Sequence, residues 1–198
     1  VSLTLTPTPP QVSAIISLIK CRTLCLDAEL PVVVQAVLRP LDPSVPSLRE
    51  GCLAASTTAL RELFRRYPQV AFHQLTQRLA VGTTEGVVII YDLRTATKWR
   101  ILQGHEAAVS ALAFSASGEH IASVSMGERS LRWWLAGSHS FFSFLGLTGS
   151  CVHTTNLSPP PTSATGASSP VYGIEWTSAN EVRLICDRQA FGTYAKPP

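Results

Sequence analysis

The sequence predicts an α + β chain in which a helical N-terminal part gives way to repeated antiparallel sheets. Three observations carry that expectation. Apolar residues recur at helical spacing up to residue 67. After Pro68 the period changes to two-residue alternation, broken by the short turn sequences "LTQR", "TTEG" and "SASGE". A pattern of Phe, Leu or Ile and a second aromatic then returns after about 42 residues, so the sheets are copies of one unit.

Residues 1–10, "VSLTLTPTPP", read as a flexible segment without the basic start and long apolar core of a secretory signal. With Val1 in place of Met, the chain reads as a piece of something longer. A helical segment is expected over 11–67. Residues 11–25 follow two prolines and place Ile15, Ile16, Leu18, Ile19, Leu24 and Leu26 on a broad apolar face. In "PVVVQAVLRP" the β-branched residues let strand compete with helix, while Pro31 suits a first helical position and Pro40 a stop. The clearest helix covers 47–66, where Ser47 and Glu50 have the spacing of a capping box and Leu48, Cys52, Leu53, Ser56, Leu60, Leu63 and Phe64 share one face. Arg49, Arg61, Glu62, Arg65 and Arg66 fall largely to the other side, as a solvated face or a partner-binding one.

Composition narrows the function classes. Apolar residues make up 45% of the chain, enough for a packed core, and the net charge of +3 is scattered, which is no nucleic-acid footprint. The longest apolar runs fall well short of the roughly 20 residues of a membrane-spanning helix, so a soluble protein without an integral membrane segment is expected. Five cysteines in apolar contexts point to reduced thiols in an intracellular compartment. Cys21 and Cys25 have the spacing of two helical metal ligands, but no second pair accompanies them, so they read as buried small hydrophobes. There is no G-x-S-x-G, no Gly-rich phosphate loop and no pair of carboxylates at a plausible cleft. The expected protein is not an enzyme and holds no cofactor or metal.

Residues 68–198 carry the repeats. "VAFHQLTQRLAV" aligns with "LAFSASGEHIAS", with Phe72 on Phe114, Leu79 on Ile121 and Ala80 on Ala122. After a one-residue insertion "VVIIYD" falls on "SLRWWL", and Tyr91 on Trp134. A weaker third copy has strands at 171–176, 182–187 and 190–194, a turn at 178–180, and Trp176 in the place of Phe114. Between the second and third copies, residues 149–170 are rich in Ser, Thr, Pro and Gly and read as a flexible insertion, inert or a phosphorylation target. Trp133 and Trp134 must point to opposite faces of one strand, so one belongs to a core and the other is exposed or covered by a neighbour.

Gly104-His105, Phe114-Ser115, Gly118, Ile121-Ala122-Ser123 and Trp134 together resemble a WD40 repeat; Leu79-Ala80, Gly82-Thr83 and Tyr91-Asp92 do so in the earlier copy. The resemblance implies four-stranded β-propeller blades that pack radially on their neighbours. It also implies a hydrogen-bonded set of imidazole, second-strand serine, turn acid and tryptophan that locks the strands. Carried onto this chain, that set is His105, Ser123 and Trp134, with Glu128 near the acid's position and Leu135 where the family has the Asp of its Trp-Asp pair. The rival reading makes His105 a catalytic base or metal ligand, although His73, His120, His139 and His153 show no ligand spacing.

The order of parts adds a closer likeness. "AVLRPLDPSVPSLRE", "ALRELFRRYPQVAFH", "RLAVGTTEGVVIIYDLRT" and "VRLICDRQAFGTYA" follow one another as in the C-terminal end of WD-repeat proteins of the rabconnectin-3 beta type, a resemblance that covers 31–194. It implies a non-enzymatic cytoplasmic scaffold, peripheral on endosomal or secretory vesicles. The implied partners are a DmX-like subunit and subunits of the vacuolar proton pump. A generic WD40 adaptor for a ubiquitin ligase or a vesicle coat is the alternative. The expected architecture is a helical-repeat-like segment followed by two to three blades of an incomplete propeller. Closure takes about four to eight blades, and the missing ones are expected upstream or in another chain.

Overall fold

Paired prolines open the first helix. They are tolerated there because the first-turn N–H groups have no partner inside a helix. The structure, a computed structural model, describes residues 7–21, 25–137, 151–159 and 170–196. Helix α1 runs Pro9–Lys20, two residues ahead of the expected start, and Thr8 and Gln11 form a capping box at its N-terminus. It ends before the expected Leu24 and Leu26, and residues 22–24 lie outside the described residues.

In the second segment helix prevails over strand. Helix α2 (Leu30–Leu38) continues into a 3₁₀ turn, Arg39–Leu41, and buries Leu30, Val34, Val37 and Leu38. Those positions follow a helical stripe, and packing of that stripe outweighs the β preference of the valines.

Helix α3 (Pro46–Arg66) corrects the sequence reading twice. It begins at Pro46 with Val45 as its cap, and no side chain caps it, so Ser47 lies inside the first turn and the Ser47–Glu50 box does not form. Its buried face is Cys52, Ser56, Ala59 and Leu63, while Leu53 and Phe64 are exposed. The Ser56 hydroxyl donates to the Val37 carbonyl at 3.0 Å, which satisfies a hydroxyl on the buried face. Pro68 then stops the helix, and Tyr67 before it is extended.

Three antiparallel sheets follow. The first has strands β1 (Val70–His73), β2 (Arg78–Gly82), β3 (Val87–Asp92) and β4 (Thr97–Gln103) in that order. The second has β5 (Ala111–Phe114), β6 (His120–Ser125), β7 (Ser130–Leu135) and β8 (Cys151–Asn156). The third has three described strands, β9 (Tyr172–Ser178), β10 (Glu181–Cys186) and β11 (Gln189–Ala195). Strand β5 lies beside both β1 and β9, so the leading strands gather along one side and the sheets fan outward. The chain is a helical layer followed by blades of a partial propeller.

The insertion at 149–170 is corrected in part. Its residues 151–156 form β8, whose alternating side chains and pairing to β7 satisfy backbone groups that composition cannot weigh. Residues 149–150 and 160–169 lie outside the described residues.

Strand registers show how the sheets stack. Leu79 pairs with Phe72 and Tyr91, Ile121 with Phe114 and Trp134, and Val182 with Trp176 and Tyr194. Each of these rows faces the preceding layer. Ile121 and Trp134 pack on Ala80, Val88 and Ile90 of the first sheet, and Val182 packs with Ala122 and Trp133 of the second. Among the described residues no sheet precedes Leu79 and Tyr91; they pack on Leu30, Val34 and Leu63 of the helices. The helical layer therefore stands where a preceding blade would.

The opposite rows change character along the stack. Ala80 and Ile90 in the first sheet correspond to Ala122 and Trp133 in the second, all buried. In the third sheet the same row is Glu175, Arg183 and Thr193, all exposed. The stack thus ends in a polar face.

No helix among the described residues is long and apolar enough to cross a membrane.

Candidate functional site

The most organised polar cluster lies at the start of the second blade. Gly104 and His105 leave the end of β4 and carry the imidazole inward, and Ser123, Ser130 and Trp134 approach it from β6 and β7. His105 is 6% exposed, while Ser123 and Trp134 expose nothing. His105 Nε2 lies 2.7 Å from Ser123 Oγ, and the Trp134 indole N–H donates to the same oxygen at 2.8 Å. On the other side His105 Nδ1 meets a Glu128 carboxylate oxygen and lies 3.1 Å from Ser130 Oγ.

These contacts fix a direction for the hydrogen bonds. A carboxylate can only accept, so the His105 proton lies on Nδ1, facing Glu128; the neutral ring then accepts at Nε2 from the Ser123 hydroxyl, which itself accepts from the Trp134 indole. Glu128 also accepts from the Ser130 hydroxyl and, at 2.8 Å, from the Glu106 N–H. Arg132 Nε stands 3.5 Å from its Oε1.

Electrostatics agree with that assignment. Burial pushes the His105 imidazole below its ordinary value and outweighs the pull of Glu128 towards protonation. Burial acts to raise the Glu128 carboxyl, but hydrogen bonds from Ser130, the Glu106 N–H and His105 together bring it down to about 2. The pair is a neutral imidazole donating to a carboxylate.

Close packing completes the site. A Cβ on Gly104 would lie 3.0 Å from Cη2 of Trp134, so the chain passes the indole at a distance few side chains allow. Gly118, at φ +72°, makes the turn between β5 and β6, where an added Cβ would come within 2.4 Å of the His73 ring.

The structure brings together Gly104, His105, Ser123, Glu128 and Trp134. It places Tyr91 and Asp92 elsewhere, on the first blade. Tyr91 is buried against the helices, and its hydroxyl donates to the Pro31 carbonyl at 3.5 Å. Asp92 receives the Arg94 backbone N–H at 2.9 Å and its guanidinium at 3.2 Å. Burial opposes the charge on Asp92, yet those contacts hold its carboxyl below the usual value.

Sequence reasoning missed Ser130, Glu106 and Arg132. Ser130 had one available signal, its place two residues after the turn acid; Glu106 acts through its backbone and leaves none. Trp133 and Trp134 point to opposite faces and both are covered, so neither is an exposed contact. Among the described residues no three His, Cys, Asp or Glu side chains converge as metal ligands. Cys25, expected to be buried, is exposed and donates to Asp27 at 3.0 Å, because its chain segment lies past the end of α1.

Comparisons with known proteins give similar structures and one family model. The structure is similar to the β-propeller domain of Cps50 (Swd1) from Myceliophteria thermophila, at 18% identity and a TM-score of 0.43 over 59% of this chain and 31% of that one. It is also similar to Hsv2 from Kluyveromyces lactis, at 12% identity and a TM-score of 0.47 over 65% of this chain and 47% of that one. The chain thus spans less than half of either structure. The family model described as WD domain, G-beta repeat matches residues 97–134, the stretch from β4 through β7 that holds the His105 cluster. Residues 97–134 thus carry the pattern of a WD40 repeat.

Proposed function

We propose that this chain is a non-enzymatic interaction scaffold whose polar cluster is internal structure. The observation that carries the reading is the hydrogen bonding of His105. Both ring nitrogens are occupied by Ser123 on one side and by Glu128 with Ser130 on the other, and the ring is almost wholly buried. A general base or metal ligand needs one nitrogen turned towards its substrate or ion. The cluster instead ties the loop before β5 to β6 and β7, and binding falls to loops and exposed faces that this frame positions.

The closer reading is a scaffold of the rabconnectin-3 beta type that pairs with a DmX-like subunit and promotes assembly of the vacuolar proton pump, from a cytoplasmic position on vesicles. The direct packing of helices on the first blade supports it, since that order of parts is what the resemblance rests on. In this reading α1 to α3 form the helical segment and the strands from β1 onward the blades. A generic adaptor for a ubiquitin ligase or vesicle coat fits the WD40 repeat at 97–134 equally well.

Affinity capture of the tagged chain from cells, read by mass spectrometry, separates the two. Recovery of proton-pump subunits with a DmX-like protein is the expected result. Cullin or coat subunits without any pump subunit would replace it with the adaptor.

A further inference from the structure

The side of α3 turned away from the helical cluster is only partly polar. Leu53 and Phe64 are 50% and 53% exposed, and Phe72 across from them on β1 is 38% exposed. They line a groove of about 490 Å³ between α3 and the edge of the first sheet. Large apolar side chains gathered in one groove on a monomer mark a contact surface more often than chance exposure does.

Charge decides what fits there. The charged residues lining the groove are Arg49, Arg61 and Arg94, with no carboxylate among the described lining residues. Asp92, just behind, pairs with Arg94 at 3.2 Å, and Arg49 donates to the Arg94 carbonyl at 3.3 Å. Arg61 forms no ion pair among the described residues. Two copies meeting groove to groove would set arginine against arginine, so the charge opposes a symmetric dimer. Leu53 and Phe64 are eleven positions apart, about 16 Å along the helix axis, the length of three helical turns.

We propose that this groove docks an amphipathic helix of a protein partner, with an apolar stripe set on Leu53, Phe64 and Phe72 and acidic residues flanking it towards the arginines. The occupant is defined by its chemistry, whichever complex the chain serves. Apolar contacts supply most of the affinity, while the arginines set orientation and reject basic helices.

The test is fluorescence anisotropy with the full chain and labelled model peptides of about three to four helical turns, the span of the groove. One peptide carries leucines along one stripe and glutamates beside it; a second replaces every glutamate with lysine. The expected result is saturable binding of the glutamate peptide that weakens with added salt, and binding of the lysine peptide about tenfold weaker or more. Arg61→Glu should weaken the glutamate peptide by about tenfold and bring the lysine peptide closer to it. Phe64→Ser should weaken both. Arg61 is a surface cation without a structural partner among the described residues, so the charge-reversal arm decides the question even if Phe64→Ser impairs folding. Equal binding of the two peptides, absence of saturable binding, indifference to Arg61→Glu, or sedimentation showing a dimer that Arg61→Glu leaves intact would each overturn the proposal.

Discussion

Trp133 and Trp134 are consecutive in β7, and neither exposes any surface. Trp134 packs against the first sheet, whereas Trp133 meets Trp176 of the third with ring centroids 5.4 Å apart in an edge-to-face arrangement. One strand is anchored to both of its neighbours. Trp133→Ala should cost about 3–5 kcal/mol and loosen the third sheet first. Amide exchange would then rise more in β9, β10 and β11 than in β1 to β4, and Trp134→Ala should reverse that order. Equal loosening on both sides in both variants would contradict the arrangement.

His105→Ala should cost roughly 1–3 kcal/mol, because Ser123 and Glu128 lose their common partner inside the blade. The urea midpoint reads this directly. Ser123→Ala should cost a similar amount, and the double variant less than the two single costs combined, since both break one network. Independent, additive costs would show that the chain of hydrogen bonds does not act as a unit.

Acid should destabilise the fold in two stages. His105 has a folded-state value below its ordinary 6.5, so the unfolded chain takes up its proton first, and stability present above pH 6.5 falls as pH drops below it. His120, depressed by burial and then by Lys196, acts in the same window and the same direction. Glu128, at about 2 against an ordinary 4.5, contributes stability that is complete above pH 4.5 and is lost as pH falls towards 2. Urea unfolding across this range should show the first decline shrink in a His105→Asn, His120→Asn double variant. A first decline of unchanged size would assign it to other groups.

Ser47→Ala should shift stability by less than about 0.5 kcal/mol, the range of a surface change away from caps and cores. A true N-cap would cost about 1 kcal/mol. Thermal unfolding distinguishes the two, and the larger loss would move the helix start back to Ser47.

Replacing Glu175, Arg183 and Thr193 together with Val, Leu and Val would turn the polar end of the stack into an apolar sheet face. Such a face behaves as an uncapped repeat end and should drive self-association. Sedimentation velocity should show a concentration-dependent shift that the unaltered chain lacks.

How much of this was legible in the sequence depends on what each signal measures. The alignment of Phe72, Leu79 and Tyr91 with Phe114, Ile121 and Trp134 reappears as two equivalent cross-strand rows, because side-chain alternation and register are fixed by the same period of two. The face of α3 was misjudged at Leu53 and Phe64, since periodicity finds an apolar stripe but not its centre, and only the contact with α1 and α2 settles that. The capping box failed because Pro46 supplies a pre-formed first residue one position earlier. Strand β8 was hidden in a Ser/Thr-rich stretch because its stability comes from the exposed edge of β7, which no local composition records.

The contact between Tyr91 and the Pro31 carbonyl has an architectural meaning. The first sheet has already given its upstream flank to α2 and α3, so no further sheet can slide in on that side without displacing both. The fan behaves like a row of books with a bookend at its head. At the tail a neighbour would instead meet the exposed polar row of Glu175, Arg183 and Thr193.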